Sequence, residues 1–102
     1  MPFVVSCLKV PNYPAWKRRY DSPEATALRH KLGLTKQQIL RNPDDPNDVV
    51  LLIEVEDLRQ AHHALQSDEL RTFAARGPIL QRTVYYQNAE ARPRPAGDYL
   101  PY

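Results

Sequence analysis

Hydrophobic positions along this chain follow two rhythms: short β-branched or apolar runs, and longer segments where they recur every three or four residues. Residues 3–9, Phe-Val-Val-Ser-Cys-Leu-Lys, belong to the first kind and read as a strand. Pro11 and Pro14 end it, and Pro14 suits the first turn of a helix. Trp16 and Tyr20, four apart, share a helical face. Ser22-Pro23-Glu24 then starts a helix afresh, with a capping serine, a proline at the first position and an acid in the first turn. Ala25, Leu28 and Leu32 keep helical spacing until Gly33 stops it. The first helical region is therefore expected in two pieces, 14–20 and 23–32.

Residues 35–42 form a polar strand with Ile39 and Leu40 in it, and 42–48, Asn-Pro-Asp-Asp-Pro-Asn-Asp, are nearly all turn residues. Val49 to Val55 carries the strongest strand pattern. Both of its faces, Val49/Leu51/Ile53/Val55 and Val50/Leu52/Glu54, are mainly apolar, which predicts cover on both sides. Asp57 can cap a second helical region, with Gln60 placed as in a capping box and Leu58, Ala61 and Leu65 in register. Ser67 caps a further turn bearing Leu70, Phe73 and Ala74, Gly77-Pro78 stops it, and residues 80–87 make the last strand.

The order strand, helix, strand, strand, helix, strand predicts an α+β, ferredoxin-like βαββαβ fold. Its four-stranded antiparallel sheet has the helices on one face. Two helical layers cannot cover both faces of the 49–55 strand, so a second copy's sheet is the simplest lid and a homodimer is expected.

The 102 residues suit one domain, placed at 1–88, with a Pro-rich C-terminal tail at 89–102 whose Tyr99, Leu100 and Tyr102 could cap a pocket or the partner. Lysine and arginine number 14 against 12 acids, interspersed and with a net charge of +2, which lacks the footprint of a nucleic-acid binder. The apolar runs fall short of the about 20 residues a bilayer span needs, and Met1 to Ser6 do not resemble a signal peptide. One cysteine, Cys7, permits no internal disulfide. A soluble, cytoplasmic protein without nucleic-acid or membrane partners is expected.

Several segments together resemble the dimeric α/β-barrel proteins related to antibiotic-biosynthesis monooxygenases and small polyketide cyclases. They are Asn12-Tyr13-Pro14-Ala15-Trp16-Lys17, Leu28-Arg29 with Gly33, Leu40 to Val49 at the hairpin, Asp57-Leu58 with Ala61, and Gln66 to Arg71. They span residues 3–87 in the family order. The resemblance implies a dimeric α/β barrel, but no single reaction, because that superfamily mixes oxygenases, cyclases, isomerases and non-catalytic binding domains. Members often carry a histidine ahead of the arginine matching Arg29. Here 21–26 is Asp-Ser-Pro-Glu-Ala-Thr, without one.

Among chemical candidates, His62 and His63 stand out, since imidazole titrates near neutrality and can take a proton from a carbon acid. Adjacent helical positions point about 100° apart, and His62 extends the Leu58/Ala61/Leu65 stripe, so it is the candidate base; a surface histidine is the plain alternative. Tyr13 and Arg29 are the candidates to steady an enolate. Trp16, Tyr20, Arg41, Tyr85 and Tyr86 are candidate substrate-binding residues, Tyr85 and Tyr86 on opposite sides of their strand. Core packing competes for the aromatics, and ion pairs with Glu24, Glu54 or the hairpin aspartates compete for Arg29 and Arg41. Adjacent histidines lack metal-ligand spacing and the scattered glycines make no phosphate loop, so neither metal nor other cofactor is expected. The expected function is a cofactor-independent cyclase acting on an aromatic or polyketide-like molecule. A cofactor-free monooxygenase on a similar substrate and a non-catalytic dimeric ligand-binding protein are the alternatives.

Overall fold

Every helix of this chain opens on a side chain that accepts a backbone N–H left over at its first turn. Asn12 accepts from Ala15, Ser22 from Ala25, Asp57 from Arg59 and Gln60, and Ser67 from Leu70. The computed structural model describes residues 1–77 and 79–87. In order they form β1 (Phe3–Lys9), α1 (Tyr13–Tyr20), α2 (Pro23–Lys31), β2 (Lys36–Arg41), β3 (Asp48–Glu54), α3 (Leu58–Leu65), α4 (Asp68–Ala75) and β4 (Gln81–Tyr86). The breaks at Ser22 and Ser67 fall where the sequence places them. Pro23 has no N–H to carry α1 onward, so the chain turns and restarts. Readings that touch Pro78 and the 89–102 tail lie outside the described residues.

Leu32, Gly33 and Leu34 close α2 in a Schellman arrangement. Gly33 N–H donates to His30 O at 3.2 Å and Leu34 N–H to Arg29 O at 2.9 Å, with Gly33 at φ +71°. That turn sends the chain back along the sheet as β2.

The sheet is antiparallel throughout, in the order β2-β3-β1-β4, which is the ferredoxin-like plan. Val4 pairs with Ile53, Leu8 with Val49, and Leu51 with Ile39. These residues share the face that meets the helices, because side chains alternate along a strand. Two buried clusters lie there. One joins Val4, Leu34, Ile53, Val55, Ala61 and Leu65, and the other joins Leu8, Val10, Trp16 and Val49.

The opposite face carries Val5 and Cys7 of β1, Val50 and Leu52 of β3, Leu40 of β2 and Tyr85 of β4. Leu40 is 48% and Tyr85 58% exposed. The double-sided apolar pattern of β3 therefore has one side covered by this chain's own helices and the other without a covering layer among the described residues.

Asp57 does the most of the four caps, since its Oδ1 accepts from Arg59 N at 2.8 Å and Gln60 N at 3.0 Å. Asp57→Ala is expected to cost about 1 kcal/mol, read as a lower urea midpoint with an unchanged slope.

Candidate functional site

Where α1, α2 and α4 arch over the sheet they leave a cavity of about 120 Å³. Its floor is the inward parity of the strands: Ser6 and Leu8 of β1, Leu51 and Ile53 of β3, and Arg82 of β4, which pairs with Leu8. Trp16, Arg19 and Tyr20 descend from α1, Leu28 and Arg29 from α2, and Phe73 from α4. The walls are mainly hydrocarbon and aromatic ring. The polar groups among them are guanidinium, hydroxyl and amide. No histidine and no carboxylate lines the cavity among the described residues.

Arg19 is the most telling of these groups. Its guanidinium lies over the Phe73 ring, 4.1 Å from the centroid, and Nη2 donates to Phe73 O at 2.9 Å. Its Nε is buried with no hydrogen-bond partner. An unmet buried donor of a charged group costs on the order of 1–3 kcal/mol. Gly77 makes room for it, because a Cβ there would stand 3.1 Å from Nε. The bare glycine thus lets a cation settle at the end of an apolar cavity.

Tyr20 is held from two sides. Its hydroxyl donates to Gln37 Oε1 at 2.8 Å, while Gln37 Nε2 donates to Leu34 O at 2.6 Å. The Arg29 guanidinium stacks on the Tyr20 ring at 4.0 Å and donates to Tyr20 O at 2.7 Å. Burial pushes the Tyr20 hydroxyl above its usual range, with Arg29 and Lys17 pulling the other way, so it is a neutral donor at neutral pH. Ser6 is only 3% exposed, the one buried polar residue of the described core.

The candidates named from sequence separate into distinct places. Trp16, Tyr20 and Arg29 meet in the cavity wall. Tyr13 and Arg41 meet elsewhere: the Arg41 guanidinium sits 3.5 Å from the Tyr13 ring centroid and donates to Pro46 O, and Asn47 Oδ1 accepts from Tyr13 N–H. Trp16 joins the two places, stacked between Tyr13 at 5.7 Å and Tyr20 at 5.0 Å. His62 is exposed on the flank of α3, edge-on to Tyr86 at 5.0 Å, and does not line the cavity. The α3 stripe buries Ala61 and Leu65, and a residue one position on from Ala61 is turned about 100° away. Tyr85 lies on the bare sheet face, and Tyr86 on the inward face near the sheet edge. Neither Arg29 nor Arg41 takes part in the ion pairs of the described residues, which join Lys9 to Asp48, Lys17 to Asp21 and Lys31 to Glu69.

Sequence reasoning did not single out Arg19, Arg82, Ser6 or Gln37. Parity was the available signal for Arg82, since Arg82, Val84 and Tyr86 alternate along β4 with Gln81, Thr83 and Tyr85. Arg19 had none, because only the packing of α1 against α4 brings it beneath Gly77.

No three His, Cys, Asp or Glu side chains cluster as metal ligands among the described residues. No described helix is long and apolar enough to cross a membrane.

The ferredoxin-like fold matches, across most of the chain, that of several solved structures described as antibiotic biosynthesis monooxygenases. SnoaB from Streptomyces nogalater, a cofactor-independent oxygenase solved as a single-site mutant, superposes with a TM-score of 0.66. The two are 16% identical over 89% of this chain and 94% of that one. A Caulobacter crescentus structure with a provisional assignment as an antibiotic biosynthesis monooxygenase gives 0.65 at 16% identity, covering 88% and 90%. Protein Atu4242 from Agrobacterium tumefaciens gives 0.63 at 15% identity, covering 86% and 92%. No family model matches the chain, and no curated protein matches it. At such identities the likeness establishes fold, and activity has to be argued from the cavity.

Proposed function

We propose that this protein is an oxygenase that uses neither metal nor flavin, acting on a small, acidic aromatic molecule held as its anion between helices and sheet. The observation that carries this reading is the cavity's lining: hydrocarbon walls with guanidinium, hydroxyl and amide groups among them, and no carboxylate or imidazole among the described residues. Such a site stabilises a substrate's negative charge. It offers no general base for an aldol-type ring closure, which sets the cyclase reading second. SnoaB, of like fold, is a cofactor-independent oxygenase, which favours the same choice.

In the proposed reaction the substrate binds as its phenolate, the hydroxyl proton having already gone to water, and the Arg19 guanidinium favours this oxyanion form. A ring carbon activated by that oxygen bonds to one atom of dioxygen. The peroxide takes one proton back from water, and its O–O bond then breaks with loss of the ring carbon's own hydrogen, leaving a carbonyl on the ring and releasing water. Oxygen is reduced, the ring is oxidised, and no further reductant enters. A cavity near the size of the roughly 150 Å³ space that accepts benzene, and below the about 300–1,000 Å³ of drug-sized sites, favours one ring over several.

Dioxygen uptake with single-ring dihydroxyarenes, with and without an argon atmosphere, tests the reading. Turnover is expected to stop under argon, and Arg19→Lys to lower kcat/KM by about 10²-fold with thermal stability followed in parallel. His62→Ala is expected to stay within about twofold. Product formation unaffected by argon would favour cyclisation; tight binding without turnover would favour a non-catalytic ligand carrier.

We also propose that two copies associate through the bare sheet face. Val5, Cys7, Val50, Leu52, Leu40 and Tyr85 present it as a largely apolar surface, and contiguous apolar patches are uncommon on monomers.

A further inference from the structure

Alongside β4 runs a second space that the proposed reaction leaves unused, an open groove of about 370 Å³. Leu65 and Gln66 at the end of α3 border it, with Arg71 of α4 and Arg82, Val84 and Tyr86 of β4. Leu65 and Arg82 also line the cavity, so the Arg82 side chain borders both spaces. We propose that this groove is a carboxylate subsite continuous with the cavity, and that the ligand is a single aromatic ring bearing an acidic side chain. The proposal rests on the cavity being the ligand site.

Charge is one argument. The groove holds two guanidiniums, a phenol and an amide, and no acid among its lining residues. The ion pairs of the described residues use lysines only. Arg82 is half-buried on an edge strand, and its one recorded hydrogen bond, from Nη2 to Leu65 O, is long at 3.4 Å. Most of its five donors are therefore unused among the described residues. Burial draws its pKa below the usual range while Tyr86 acts the other way, and it remains a cation at neutral pH. Burial likewise pushes the Tyr86 hydroxyl upward, keeping it a neutral donor beside Arg82. A partly desolvated cation with no anion beside it among the described residues gains strongly from one, and a planar guanidinium matches a carboxylate in two parallel hydrogen bonds.

Shape is the other argument. The cavity has room for about one ring, and a substituent leaving it past Arg82 enters the groove within reach of its lining. Val84 and Leu65 flank the cation, and hydrocarbon neighbours suit a singly charged group better than a doubly charged one.

Calorimetric binding of 4-hydroxyphenylacetate and its methyl ester, to wild type and to Arg71→Gln, tests the subsite. Arg71 borders the groove and not the cavity. The acid is expected to bind wild type about tenfold more tightly than the ester. Arg71→Gln is expected to reduce that preference about threefold, an exposed cation giving less than a buried one, and to leave the ester's affinity unchanged. Equal binding of acid and ester by wild type overturns the proposal. So does a variant that weakens both alike, or the failure of both compounds to bind. Dioxygen uptake with the ester and no preference for the acid removes the subsite but leaves the oxygenase reading standing. Preference for the acid without dioxygen uptake does the reverse.

Discussion

Trp16→Ala is expected to lower folding stability by about 3–5 kcal/mol, the largest loss from any single side chain of the helical layer. Trp16 is 5% exposed, anchors the cluster with Leu8, Val10 and Val49, and stacks between Tyr13 and Tyr20. Truncation removes all of these contacts at once. The aromatic column behind it, from Tyr13 to Tyr20, then has no middle member. A domain of this size has total stability on the order of 5–15 kcal/mol, so the variant approaches its folding threshold. Trp16→Phe keeps a ring in the slot and is expected to recover more than half of the loss. Urea unfolding of both variants checks the size of the effect. Titration with a single-ring phenol checks the second consequence: a widened cavity should bind a small ring more weakly. An alanine variant within about 1 kcal/mol of wild type would mean that the column carries little of the fold.

The second large effect concerns the bare side of the sheet. Val50 lies near its middle, paired with Cys7 on one side and Leu40 on the other. Val50→Lys is expected to abolish dimers at micromolar concentration in light scattering while leaving the circular dichroism spectrum unchanged. The reason for the split is geometric. Within one copy the lysine stem lies along neighbouring side chains with its ammonium in water. Between two copies it is buried without a counter-charge, at about 3–5 kcal/mol for each uncompensated charge, twice per dimer. Wild-type protein that is already monomeric under those conditions would remove the homodimer proposal outright.

Much of the fold was legible because strands and helix starts are written locally. Ser22-Pro23 and Ser67 mark breaks that the structure places between α1 and α2 and between α3 and α4. The two-sided apolar pattern of β3 also reads correctly as a strand, with one face under the helices and the other turned away from them. The site was less legible, for a specific reason. Sequence separation hides the packing of α1 against α4, so Arg19 looks like one of several surface cations until Gly77 and Phe73 close around it. His62 shows the converse. A helical stripe says which face is turned to the core, but not whether a residue at the stripe's edge meets a cavity or the rim of the sheet, and here it meets Tyr86 at the rim.

The alternation of β1 has a consequence for how this protein can change over time. Val4, Ser6 and Leu8 look toward the helices, and Ser6 and Leu8 touch the cavity; Phe3, Val5 and Cys7 look the other way. On the proposed function the sheet is a partition, with the cavity on one side and the proposed association surface on the other. On that proposal a substitution at Ser6 or Leu8 alters what the molecule holds, and one at Val5 or Cys7 alters what it stands against, so ligand preference and assembly can change independently within one strand.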